Sequence, residues 1–246
     1  KTCTFAGHSV CRDIFIADLA EREIKKILEE NDIIHFYCGG MGEFDKLCET
    51  TLHDMKHVFP DKQIFIDLVM PFSTKDMDYN PRYYNDNYSN VIIPGCLSQY
   101  DSKKKIPMRN RWMVDTSEFL IAYVTHKSSG AWNTLQHAIK KHRSFINLSE
   151  VPADDHCYSF NQIFGLIIKL NRRINGIALE GFSKATKLSY DYLYNIENAL
   201  RTPTLDAIVK ISRSMNMAPH ALIETAEQEY KKIRKQKRLR KKRRKR

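Results

Sequence analysis

The first 150 residues alternate between two hydrophobic periods. TCTFAGHS, 2–9, is a short apolar run ending in small polar residues. IFIADLAEREIKKILEEN, 14–31, then sets Ile16, Leu19, Ala20, Ile24, Ile27 and Leu28 at helical spacing, with charges between them. The same exchange recurs down the chain. IIHFYCGG, 33–40, KQIFIDLVMP, 62–71, FLIAYVT, 119–125, and SFINL, 144–148, read as strands, with VII, 91–93, as a shorter one. FDKLCETTLHDMKHVF, 44–59, MRNRWMVDTS, 108–117, and AWNTLQHAIKKH, 131–142, read as helices. The Tyr- and Asn-rich stretch 72–90 reads as a long loop or lid. Alternating strands and helices with short links predict a parallel sheet covered by helices on both faces, a Rossmann-like α/β domain over 1–150. In such a sheet ligands sit at the loops that follow the strands.

After VPADDHCYS, 151–159, only helical patterns remain. This places a linker at 151–160, a small all-α domain at 161–226 and a polybasic tail at 227–246. In the small domain a helix near 178–186 buries Phe182 and Ala185. A tight turn at 186–188 leads to Ser189, a good N-cap for a helix over 190–198 that buries Leu193 and Ile196. Thr204 caps the next helix, with Ile208, Ile211 and Met215 as its apolar stripe.

Charge changes this picture at one end only. The net charge is +11, but 13 of the 40 Lys and Arg lie in KKIRKQKRLRKKRRKR, 231–246, leaving 27 basic against 29 acidic residues before it. The tail therefore reads as a solvated nucleic-acid arm on a nearly neutral protein. No apolar run approaches the ~18–20 residues that span a membrane. The opening residues lack the pattern of a secretory signal, since Arg12 and Asp13 follow Lys1–Val10 at once. The six cysteines form no CxxC pair and share no zinc spacing with histidines, so they read as reduced core residues. A cytoplasmic protein with no metal site is expected.

Candidate chemistry collects on three strand-end loops: AGHS, 6–9, CGGMGEFD, 38–45, and HKSSGAWNT, 126–134. Glycines permit close backbone approach, and free N–H groups at a helix start bind anions. MRNR, 108–111, adds Arg109 and Arg111 as phosphate or carboxylate clamps.

The order TFAGHS, GGMGEFD, RNRWMVDTSEFLIAYV, SSGAWNTLQHA resembles the SLOG superfamily, which also includes the LOG-type enzymes and the DNA-processing protein A fold. The resemblance is closest to the branch found in Gram-positive bacteria and their phages, and it covers nearly all of 1–150. It implies a nucleotide or nucleotide-derived ligand held by Gly7, His8, Ser9, Gly39, Gly40, Met41, Gly42, Asp45, Arg109, Arg111, Ser129, Gly130 and Thr134. LOG enzymes are phosphoribohydrolases with a PGGxGTxxE stretch. Here the position of their catalytic Glu is His137, and breaking a glycosidic bond requires a carboxylate. Glu43, Asp45, Asp115 and Glu118 are the carboxylates nearby in motif terms. No catalytic residue is assigned, and no cofactor beyond that ligand is expected.

YLYNIENALRTPTLDAIVKISRSMN, 192–216, resembles the Cro/C1-type (XRE-family) helix-turn-helix, through Leu193, Ile196, Glu197, Arg201, Pro203, Thr204 and Leu205. The resemblance implies double-stranded DNA as partner and a homodimer. From Leu188 to Leu200 there is no Lys or Arg, so base reading falls to Tyr190, Asp191, Tyr194, Asn195 and Asn198. Lys184, Lys187, Ser189 and Arg201 flank them and reach the backbone, with Lys210 beyond. Leu179 stands where that family usually has Gln. The expected function is a sequence-specific transcriptional regulator that senses a nucleotide-derived ligand. Two alternatives stay open: a nucleotide-processing enzyme, or an anti-phage or mobile-element signalling protein with a DNA-targeting module.

Overall fold

The computed structural model describes residues 1–151 and 158–244. It divides into two compact units, one of 1–12 and 18–151, the other of 13–17 and the described residues from 158 onward. Of the predicted linker, 152–157 lie outside the described residues, as does Cys157.

The first unit is α/β. Six parallel strands, β1 (Thr2–Gly7), β2 (Ile33–Cys38), β3 (Gln63–Val69), β4 (Asn90–Ile92), β5 (Phe119–Tyr123) and β6 (Ser144–Asn147), lie in the order β4-β3-β2-β1-β5-β6. The parallel sheet expected from the near-continuous apolar strands is observed. The intervening helices are α1 (Ile16–Glu30), α2 (Glu43–Val58), α3 (Lys75–Tyr79), α4 (Pro81–Asn87), α5 (Ser102–Thr116) and α6 (Gly130–Lys140).

Neighbouring residues of β1 point to opposite faces of the sheet. Ala6 joins Leu120, Ala122, Val114, Leu135 and Ala138 in a core between β1, β5, α5 and α6. Phe5 stacks on Phe36 at 5.9 Å, and Phe44 of α2 stacks on Tyr123 at 5.8 Å. The buried Asn147 amide takes the N–H of Val124 and donates to its carbonyl, which ties β6 to the end of β5. Asp67, buried in β3, accepts from Asn90 of β4 at 2.6 Å and pairs with His35 of β2 at 2.7 Å. Three strands are thereby joined by one carboxylate.

Several expectations are corrected here. Residues 72–90 are not a loop throughout but carry α3 and α4. Pro81 at the first position of α4 lacks an N–H that would go unused there anyway, and Asp76 accepts from both Asn80 and Tyr84. The helix read as 108–117 begins six residues earlier, at Ser102, and passes through Pro107. Among the cysteines, Cys3, Cys11, Cys38 and Cys48 are buried, but Cys96 is exposed.

Among its described residues the second unit carries five helices: α7 (Phe160–Ile174), α8 (Leu179–Thr186), α9 (Tyr190–Glu197), α10 (Leu205–Ser214) and α11 (Pro219–Arg244). Ser159 begins α7 with a reciprocal capping box to Gln162. Phe182, Leu193, Ile196 and Ile211 are buried as expected, with Met215 close behind. Ala185 is exposed instead, and Thr186 takes the buried position, its hydroxyl bonded to the Phe182 carbonyl.

The polybasic segment, read as a solvated arm, is helical in its described residues. It continues α11 to Arg244. Lys and Arg are good helix formers, and the costly nucleus is supplied by the packed first turns, where Leu222 and Ala226 are fully buried. Pairs from Glu227 to Lys231 and from Glu229 to Lys232 bridge the junction. No helix among the described residues is long and apolar enough to cross a membrane.

Candidate functional site

A cavity of about 670 Å³ opens in the α/β unit. It is lined by the loops that follow β1 and β5, the two strands where chain order reverses across the sheet. That crevice is where open α/β sheets place ligands. The loop after β2 closes one side and α5 another.

Each loop is shaped by its neighbour. A Cβ on Gly7 would stand 2.2 Å from the Phe44 ring, so this glycine lets α2 approach the end of β1. Gly42 has φ +88° and sits against the Ser9 backbone, where a Cβ would lie 2.9 Å from its Cα. The Glu43 N–H donates to the Ser9 carbonyl, and the Glu43 carboxylate accepts from the Cys11 N–H at 2.6 Å. The β1 and β2 loops are therefore held together by glycine contacts and by Glu43.

Ten of the expected ligand residues line the cavity. Gly7, His8 and Ser9 come from the first loop, Met41, Gly42 and Asp45 from the second, Ser129, Gly130 and Thr134 from the start of α6, and Arg109 from α5. Gly39, Gly40 and Arg111 do not line it, and Arg111 is exposed elsewhere on α5. Of the four carboxylates near the motifs, Asp45 is the one that lines the cavity. Asp115 pairs with His137 at 2.8 Å, and Glu118 pairs with Lys1. His137 is likewise absent from the lining.

Arg109 departs most from its expected role. It is 2% exposed, and its Nη1 donates to the carbonyls of Gly39 and Val69, each at 2.6 Å. It ties the loop after β2 to the end of β3 rather than presenting a free clamp. Asp45 accepts from the Met41 N–H at 3.1 Å and lies beside the same guanidinium. Burial raises the Asp45 pKa to about 6, against the opposing pull of that N–H and of Arg109.

His8 accepts from the Thr125 N–H at 2.8 Å and stacks on His126 at 4.1 Å. Burial, then the nearby His126, holds its pKa below the usual value, consistent with a neutral acceptor ring. Ser129 caps α6 by accepting from the Trp132 N–H.

Ten lining residues were missed, among them the polar or charged Arg12, Asn110, Thr125 and His126. His126 lay within a loop already singled out, and Asn110 sits between the two arginines that were chosen. Arg12 carried no motif. Its place at the cavity follows from the path of the β1 loop.

In the helical unit, α8 ends at Lys187, which adopts the left-handed conformation with φ 56°. Ser189 caps α9 as expected, accepting from the Tyr192 N–H, and Thr204 caps α10 through the Ala207 N–H. Lys184, Lys187, Ser189, Asp191 and Arg201 are exposed, while Tyr190, Tyr194, Asn195 and Asn198 are half-buried. Their availability differs. Asn198 accepts from Lys169 at 2.9 Å and donates to the Tyr194 carbonyl, so its amide is committed within the unit. Lys184 pairs with Glu180, and Lys210 with Asp206. Arg201 lies 4.9 Å over the Tyr192 ring. Leu179, in the place where Gln was the family expectation, is buried. Glu197 is buried as well, paired with Arg172.

No family model matches this chain, and no curated protein matches it. Among solved structures, the clp gene regulator ClgR from Corynebacterium glutamicum is similar at a TM-score of 0.33 and 14% identity, over 35% of this chain and 92% of that one. A likeness that slight assigns neither fold nor function.

Proposed function

We propose that this protein is a DNA-binding regulator. In this reading α7–α11 form a Cro/C1-type helix-turn-helix module, and the α/β unit is a SLOG-type domain that binds a nucleotide-derived ligand. The observation that carries the reading is the α8–α9 joint. A left-handed Lys187 and a Ser189 cap separate two eight-residue helices. The second buries Leu193 and Ile196 and leaves Asp191, Tyr194 and Asn195 accessible on its other side. Asn195 makes no side-chain bond among the described residues, so its amide is available to an adenine edge. Positive charge comes from the flanks and from α11. A homodimer would present two such helices to a two-fold operator.

The test is selection from a random duplex library, followed by titration of the selected site and a scrambled copy. A selected site bound well above its scrambled copy supports the reading. Equal affinity for both over a range of salt defeats it.

One observation favours a second reading as a nucleotide-processing enzyme. Asp45 places a carboxyl in the cavity whose pKa burial raises to about 6. Base release from nucleoside monophosphates, abolished by Asp45→Asn, would establish it.

A further inference from the structure

The two halves of α11 have different surroundings. Its first turns pack within the helical unit, where Leu222 and Ala226 are fully buried and Tyr230 meets Phe160, the first residue of α7, edge-on at 5.9 Å. Past Tyr230 the helix runs on to Arg244 with no Gly or Pro to bend it. At 1.5 Å per residue that is about 21 Å of helix held out by the packed half. From Lys231 to Leu239 the residues are exposed, apart from the half-buried Ile233 and Lys237.

The charge on this half is uncompensated. The last acids of the chain, Glu227 and Glu229, pair with Lys231 and Lys232, and no Asp or Glu follows. Arg234 lies over the Tyr230 ring at 5.4 Å. Lys235 and Arg238 are exposed and have no ion pair among the described residues. Lys231 and Lys235 are four apart, as are Arg234 and Arg238, so like charges neighbour each other along the helix. Anions set between them would replace that repulsion with attraction.

The shape of the charge selects the partner. At 3.6 residues per turn, the six basic residues from Lys231 to Arg238 span an arc of roughly 220° around the axis. Leu239, 51% exposed, falls inside that arc. The segment therefore lacks the apolar face with which a helix lies in a membrane surface. A flat anionic surface also meets only one side of so wide an arc. The major groove of B-form DNA is about 12 Å wide, admits an α-helix, and sets a phosphate chain along each wall. In A-form RNA the same groove is deep and narrow.

We infer that residues 231–244 act as a groove helix, lying in the major groove of B-form duplex DNA. Arg234 and Lys235, about 100° apart around the axis, reach phosphates on opposite walls. The contact is to the backbone and carries no sequence preference. It rests on the DNA-binding reading above and adds to α9 a second element that touches the duplex.

The test separates helix from charge. Gln236 is exposed and uncharged, so Gln236→Pro breaks the helix inside the basic run and leaves the net charge unchanged. Gln236→Ala keeps both helix and charge. The full chain and both variants are titrated with a scrambled DNA duplex, with the same sequence as duplex RNA, and with phosphatidylserine vesicles. Gln236→Pro is expected to weaken binding to the DNA duplex roughly tenfold or more and to flatten its salt slope by at least two contacts, each about −0.9. Gln236→Ala should bind like the wild type. Neither should change the melting temperature, since Gln236 lies beyond the packed turns. Duplex RNA and vesicles should bind more weakly than duplex DNA. Gln236→Pro binding the DNA duplex like the wild type overturns the inference, because charge then acts whatever the backbone does. RNA or vesicles bound as tightly as DNA overturn the groove assignment. The reading of bases by α9 is judged separately, by the ratio of selected to scrambled affinity, which Gln236→Pro should leave unchanged. No binding to any duplex at low salt overturns the DNA-binding reading and this inference together.

Discussion

Arg172 and Glu197 meet as a two-pronged ion pair inside the helical unit, Nε to Oε1 at 2.7 Å and Nη2 to Oε2 at 2.9 Å. Both side chains are almost wholly buried, and the remaining Arg172 Nη1 donates to the Ile177 carbonyl. One residue lies on α7 and the other ends α9, so the pair sets the position of the helix proposed to read bases. Removing one partner leaves a buried charge alone. Glu197→Gln is expected to cost about 3–5 kcal/mol in denaturant unfolding of the full chain. A loss below about 1 kcal/mol, the level of an exposed pair, would show that the pair does not hold α9.

A close backbone approach in this unit is also on α7. A Cβ on Gly165 would lie 2.6 Å from the carbonyl oxygens of both Ile196 and Glu197. Those atoms are backbone and cannot swing aside. Gly165→Ala is therefore expected to destabilise the unit by several kcal/mol, by overpacking a tight contact. Gly181→Ala meets open space and serves as the control, expected to be neutral or slightly stabilising in its helix. Thermal unfolding of the two variants checks this.

Two asparagines on one helix should behave differently. Asn195 has its amide free, whereas Asn198 is bonded to Lys169 and to the Tyr194 carbonyl. Asn195→Ala is expected to weaken binding to a selected site by about 1–3 kcal/mol without changing stability, and to relax preference at one base pair. Asn198→Ala should lower stability and leave base preference intact. Anisotropy titrations against single-base variants of the site distinguish the two.

Deleting 231–246 should change salt dependence more than specificity. Each phosphate contact contributes about −0.9 to the slope of log affinity against log salt. The segment carries 13 Lys and Arg and no acid. Its loss is expected to flatten the slope by several contacts while the ratio of selected to scrambled affinity holds. A ratio that collapses to one would move the reading of sequence from α9 to α11.

Asp45 makes stability depend on pH in the direction opposite to an ion-paired carboxylate. Its folded pKa is raised from 3.8 to about 6, so between those values the folded state holds the proton that the unfolded state has lost. Stability therefore falls as pH rises from about 4 to 6, by about 3 kcal/mol from this group, and is flat in it above that. Glu49, raised by burial to about 7, acts in the same sense. Asp45→Asn should remove its share of the fall, read as a smaller change in melting temperature between pH 4 and 7.

The sequence by itself determined what is local. Hydrophobic period identified the six strands and most helices, because a strand buried on both faces needs a continuous apolar run and a covering helix needs a stripe. Cap chemistry placed Ser189 and Thr204, since a side-chain oxygen two or three residues ahead of an unbonded N–H suffices. It also brought ten of thirteen ligand candidates to one cavity, because loops after successive parallel strands share an edge. Tertiary structure alone decided which side chains are free. Arg109 and Arg111 differ by two positions, yet one faces the β2 and β3 carbonyls and the other faces solvent. Arg12, Asn198 and Glu197 were likewise sorted only by what packs beside them. A residue's type shows the bonds it is able to make. Whether the fold has already filled them depends on atoms dozens of residues away.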